Sequence, residues 1–160
     1  MKFILSPELG RLARWLRILG FDAVYLSQPN FPALLIQALR DSRIILTRNS
    51  RFIDKARAAK CAHIKSDKVQ EQLKQALQEF NIKPDPEAMF SRCIICNTQL
   101  CEIEKKQVKD KVPEYVFKTQ NEFFTCPACQ RIYWSGTHWG NVSKILEDIN
   151  KCVDKDGICS

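Results

Sequence analysis

Along the first 80 positions the spacing of apolar residues changes repeatedly, and each change marks a new element. Lys2 to Ser6 is a short apolar run of the kind that forms a buried strand. From Pro7 to Leu19 the period lengthens: Leu9, Leu12, Ala13, Leu16 and Leu19 recur at three- and four-residue spacing, one face of a helix. Gly20 supplies a helix stop. Ala23 to Leu26 reads as a second strand. Pro29 and Pro32 break the pattern, Pro32 suiting a helical first turn, and Ala33 to Leu39 follows as a second helix. Arg43 to Thr47 is a β-branched strand, Arg51 to Ala59 a basic helix and Ala62 to Ser66 a fourth strand. Lys68 to Phe80 closes the series as a helix with Val69, Leu73, Leu77 and Phe80 on one face.

Four strand–helix alternations predict an α/β domain with a parallel sheet and flanking helices, because each parallel crossover needs a helix to cover the sheet. Ligands of such sheets meet the C-terminal strand ends, here Ser6, Leu26-Ser27, Thr47-Arg48-Asn49 and Ser66-Asp67. Two prolines make Asn81 to Met89 a linker. The expected organisation is an α/β domain at 1–80, a linker at 81–89, a small cysteine-rich domain at 90–140, and a C-terminal helix (Asn141 to Cys152) and tail at 141–160.

The cysteine pattern gives the third segment its chemistry. Cys93-Ile-Ile-Cys96 and Cys126-Pro-Ala-Cys129 are two C-x-x-C pairs separated by 29 residues. Each pair offers two thiolates from one tight turn, and together they supply the four tetrahedral ligands of a structural zinc ion in a ribbon. Glu114 to Phe117, Glu122 to Phe124 and Arg131 to Trp134 read as the ribbon's strands. A redox dithiol needs only one pair and precedes a helix. Cys61 reads as a core residue, Cys101 as out of ligand register, and Cys152 and Cys159 as part of a polar tail with too few ligands for a second site. His63 and His138 read as structural.

Charge separates the halves. The chain carries +7, and residues 1–80 hold 14 Lys+Arg against 7 Asp+Glu, whereas residues 81–160 hold 11 of each. An excess confined to the first half suits a polyanion partner, nucleic acid being the commonest. Arg11, Arg14 and Arg17, with Trp15 beside them, could clamp successive phosphates, or could form a solvated helix face. Arg48 adds a cation at a strand end. No apolar run is long enough to span a membrane and the N-terminus reads as a strand and not a leader, so a cytosolic location is expected, where eight cysteines would stay reduced.

Five blocks resemble, in order over residues 2–146, the Mut-seven C-terminal ribonuclease family. They are Leu9-Gly-Arg-Leu-Ala-Arg-Trp-Leu-Arg-Ile-Leu-Gly-Phe-Asp22, Arg43-Ile-Ile-Leu-Thr-Arg48, Glu71-Gln-Leu73, Ser91-Arg-Cys-Ile-Ile-Cys-Asn97 and Tyr133-Trp-Ser-Gly-Thr-His-Trp139. The resemblance implies a PIN-like domain followed by a zinc ribbon, acting on RNA. It also implies acidic residues at the end of the first strand, at the opening of the second helix and after the third strand. This chain has Ser6, Asn30-Phe31-Pro32 and Asn49 there. Asp67 remains, and Glu8, Asp22 or Asp54 could rebuild a site from another direction. Magnesium or manganese, which such hydrolysis uses, needs carboxylate oxygens. The expected function is therefore RNA binding on a nuclease scaffold with weak or no catalysis. The alternatives are an active metal-dependent ribonuclease and an adaptor whose basic face meets an acidic protein.

Overall fold

The computed structural model describes residues 1–28, 30–134 and 136. The chain divides into two compact units, residues 1–97 and 98–160. In the first, β1 (Lys2–Leu5), β2 (Asp22–Tyr25), β3 (Ile44–Thr47) and β4 (Cys61–His63) form a parallel sheet in the order β2-β1-β3-β4. The helices α1 (Gly10–Ile18), α2 (Phe31–Arg40), α3 (Ser50–Lys55) and α4 (Val69–Glu79) complete the predicted alternation. Phe3, Ile4 and Leu5 are fully buried, and all four residues of β3 are buried. Strands covered on both faces need apolar side chains at every position, which is why these two read as unbroken runs. Ile4 and Ile45 pack with Leu34 and Ala38 of α2 and Phe52 and Ala56 of α3, while α1 packs on α4.

Most boundaries differ from the expectations by a residue or two, β2 for example ending at Tyr25 and α2 beginning at Phe31. The first helix opens with a 3-10 turn, Pro7–Leu9. The basic helix ends at Lys55 and not at Ala59, and β4 begins at Cys61, so Cys61 is a half-buried strand residue. Because β4 ends at His63, Asp67 lies on the loop before α4, with its side chain 83% exposed.

Strand order positions the site. The chain leaves β1 to one side for β2 and then crosses to the other side for β3. Helices diverge at such a reversal and leave a crevice over the C-terminal strand ends. Ser6, after β1, and Arg48, after β3, stand at this point, joined through the Ser6 amide, which donates to the Leu46 carbonyl at 3.1 Å.

In the second unit β5 (Cys101–Ile103), β6 (Phe123–Thr125) and β7 (Ile132–Trp134) form an antiparallel sheet in sequence order. Glu114 to Phe117 is not a strand: it lies in α5 (Glu114–Thr119). Pro113 precedes its first turn, and Glu114 pairs with Lys118 at 2.6 Å one turn on, a local pairing that favours the helix. The expected helix at 141–152, His138, Cys152 and Cys159 lie outside the described residues. No helix among the described residues is long and apolar enough to cross a membrane.

Candidate functional site

A cleft of about 590 Å³ opens over the ends of β1 and β3, lined by Glu8, Arg11, Arg14, Arg17, Tyr25, Arg48, Asp67, Gln72 and Ile95 among others. Glu8, in its lining, is bonded to Ser6 at the end of β1. Ser6 is fully buried, and its hydroxyl donates to Glu8 Oε1 at 2.6 Å. The backbone amide of Arg48 donates to the same oxygen at 3.0 Å. One carboxylate thus ties the ends of two strands together. Burial alone would raise the Glu8 pKa, but the Ser6 hydroxyl, the backbone amides and the nearby Arg48 charge outweigh it and lower it. The Arg48 guanidinium in turn pairs with Asp67, and the Arg48 carbonyl oxygen lies 3.0 Å from His63 Nε2.

The arginines separate into two kinds. Arg11 and Arg14 are exposed along the cleft. Arg17 is only 7% exposed: its Nε donates to the Ala23 carbonyl at 2.9 Å and its Nη1 to the carbonyls of Ile94 (3.0 Å) and Ile95 (2.7 Å). This corrects the reading of Arg17 as a phosphate clamp. At 3.6 residues per turn, each three-residue step rotates a side chain by about 60°, so Arg17 stands about 120° from Arg11 and enters the fold. Burial lowers the Arg17 pKa, and the neighbouring Cys93 and Cys96 oppose that shift.

Asn49 does not line the arginine cleft. It borders a separate groove of about 520 Å³ with Phe31, Phe52, Arg51 and Lys55. Asp22 begins β2, at the opposite end of the sheet, where Arg43 Nη1 and Asn97 Nδ2 each reach its Oδ1 at 2.7 Å. Asp54 is exposed on α3. Among the described residues, the carboxylates of the cleft are Glu8 and Asp67. A hard divalent cation takes most of its ligands from oxygens free to coordinate it. Glu8 Oε1 is held by the Ser6 hydroxyl and the Arg48 amide, and Asp67 Oδ1 by the Arg48 guanidinium.

The cysteine pairs do fit an ion. The Sγ atoms of Cys93, Cys96, Cys126 and Cys129 all lie within 4.8 Å of one another. Among the described residues, no other group of three or more acidic, histidine or cysteine side chains is gathered for an ion. The two turns share one geometry. The amide of Asn97 donates to the Cys93 carbonyl at 2.9 Å, and that of Gln130 to the Cys126 carbonyl at 2.8 Å. Both donors are left-handed, with φ of 70° and 60°. The Cys129 amide also reaches Cys126 Sγ at 3.4 Å. Four thiolates this close suit a tetrahedral soft or borderline ion. Cys101 is exposed and, like Cys61, outside this group.

Two features escaped the sequence reading. Tyr25, one residue before the expected strand end, lines the cleft. An aromatic residue closing a strand was the available signal. The first knuckle is also bound to the sheet unit through Arg17, through Asn97 to Asp22 and the Ala23 amide, and through Arg92 to the Gly20 carbonyl. No sequence pattern marks those long-range pairings.

Comparison with curated proteins and with solved structures found no match. The family model described as the Mut7-C RNAse domain matches residues 1–146. That span takes in both sheets, the arginine cleft and all four clustered cysteines, and the chain belongs to the Mut7-C RNAse domain family.

Proposed function

We propose that this protein binds RNA through the arginine cleft, cleaves it weakly or not at all, and holds zinc at its four thiolates as a structural ion. The observation that carries the reading is the charge of the cleft. Arg11, Arg14 and Arg48 line it with Glu8 and Asp67, and the Arg48 amide and guanidinium each hold one oxygen of these two carboxylates. Guanidinium groups suit phosphate oxygens, and family membership makes RNA the polyanion to test first. A thiolate site of this kind requires reduced cysteines, which the cytosol maintains.

The test is binding of single-stranded RNA of mixed sequence across a salt series. Affinity falls steeply with salt, and an Arg11→Glu, Arg14→Glu double variant shallows the log–log slope by roughly 1.4, about 0.7 for each lost phosphate contact. A double variant that bound like the parent would sink the reading. Asp67→Asn separates binding from catalysis. Removing the countercharge of Arg48 tightens RNA binding, whereas an active nuclease would lose divalent-dependent cleavage. Substantial cleavage by the parent, abolished in Asp67→Asn, would replace the binding reading with an enzymatic one. An Asn49→Asp variant that cleaved a mixed RNA pool where the parent did not would trace the lost reaction to that position.

A further inference from the structure

Tyr25 is the last residue of β2, an edge strand, and is 37% exposed. It lines the arginine cleft beside Arg11 and Arg14. Its ring rests on the first turn of α1 at Gly10. A Cβ built on Gly10 would stand 3.2 Å from Tyr25 Cζ and 3.3 Å from Cε2, closer than a side chain ordinarily sits. The backbone of Gly10 is ordinary right-handed helix, with φ −59° and ψ −34°, so no backbone strain calls for glycine here. Glycine in a helix costs about 1 kcal/mol relative to alanine. What it provides at this position is room for the ring to lie against the helix. Ile95, 42% exposed, adds an apolar surface to the same cleft.

We propose that Tyr25 stacks an unpaired RNA base in the arginine cleft, which makes single-stranded RNA the substrate class. This rests on the RNA reading above. A cleft of guanidinium groups alone tracks a phosphate backbone in single and double strands alike. An exposed aromatic ring set among those cations adds a partner for the flat face of a base. Bases within a duplex are already stacked and paired and do not reach it, so the ring selects unpaired RNA.

The experiment uses the full chain with a single-stranded RNA oligomer carrying 2-aminopurine, and a duplex of the same sequence. The parent quenches the 2-aminopurine fluorescence and prefers the single strand. Tyr25→Phe keeps both properties. Tyr25→Leu keeps apolar bulk over Gly10 but has no aromatic face. It loses the quenching and roughly 5- to 100-fold in single-strand affinity, the range of one base stack, while duplex affinity stays within about two-fold. Thermal melting of both variants confirms that they fold. A Tyr25→Leu variant that quenched like the parent, or that lost single-strand and duplex affinity equally, would overturn the proposal. The Arg11→Glu, Arg14→Glu variant distinguishes the two failures. If it abolishes binding while Tyr25→Leu has no effect, stacking alone is wrong. If it binds normally, the cleft is not the RNA site and both readings fall.

Discussion

Arg14 and Arg17 stand one helical turn apart, yet one is exposed and the other donates three hydrogen bonds to backbone carbonyls. Their roles diverge because a three-residue step does not close a turn of 3.6, and the small difference carries the second side chain from solvent into the fold. A buried guanidinium with carbonyl partners is costly to remove. Arg17→Met strands the carbonyls of Ala23, Ile94 and Ile95 and is expected to destabilise the sheet unit by about 2–5 kcal/mol. Arg17→Lys keeps the charge but not the planar fork and recovers only part of that loss. Urea unfolding midpoints of the two variants check this; equal stability of Arg17→Met and the parent would show that the bonds contribute nothing. The arginine itself was visible in the sequence. Its burial was not, since two of its three partners lie 77 and 78 residues away.

The cysteine turns are the elements most legible in the sequence. Their ligand spacing is local, and the geometry that follows, a left-handed residue closing each turn back on its first cysteine, spans five positions. The segment at 114–119 was least legible, because a short stretch holding both aromatic residues and an i,i+4 charge pair satisfies two periods at once. The strand expected at 122–124 is present at 123–125. Metal removal tests the cysteine elements. A structural zinc ion contributes on the order of 10 kcal/mol in small domains, more than a three-stranded sheet of this size supplies alone. Chelation is therefore expected to expose the amides of Asn97 and Gln130, both donors to a cysteine carbonyl, while the amides of β1 and β3 stay protected. Hydrogen exchange with and without chelator reads this directly, and unchanged protection at both positions would argue against a structural ion.

For the molecule as a whole, acid is the informative perturbation. Burial would raise the carboxyl pKa of Asp22, but bonds from Arg43 and Asn97 outweigh it and lower it, and Glu8 is lowered by its own donors. Folded carboxylates that hold protons less tightly than the unfolded chain stabilise the fold above the ordinary carboxylate value of about 4, and that stability is lost as pH falls through their folded values. The melting temperature is expected to drop over this acidic range, and Asp22→Asn to flatten the drop while lowering stability at neutral pH. An unchanged acid limb would contradict the assignment. The sequence by itself determined the strand–helix alternation, the parallel sheet and the four cysteines that gather, because apolar period and cysteine spacing are properties of neighbouring residues. It also showed Ser6 and Asn49 where carboxylates were expected. Tertiary structure alone decided which charges meet. Strand order β2-β1-β3-β4 brings Glu8 to the Arg48 amide, and the fold pairs Arg48 with Asp67 and leaves Asn49 outside the cleft. The Glu8–Arg48 contact joins residues 40 positions apart, and the placing of β3 beside β1 brings them together.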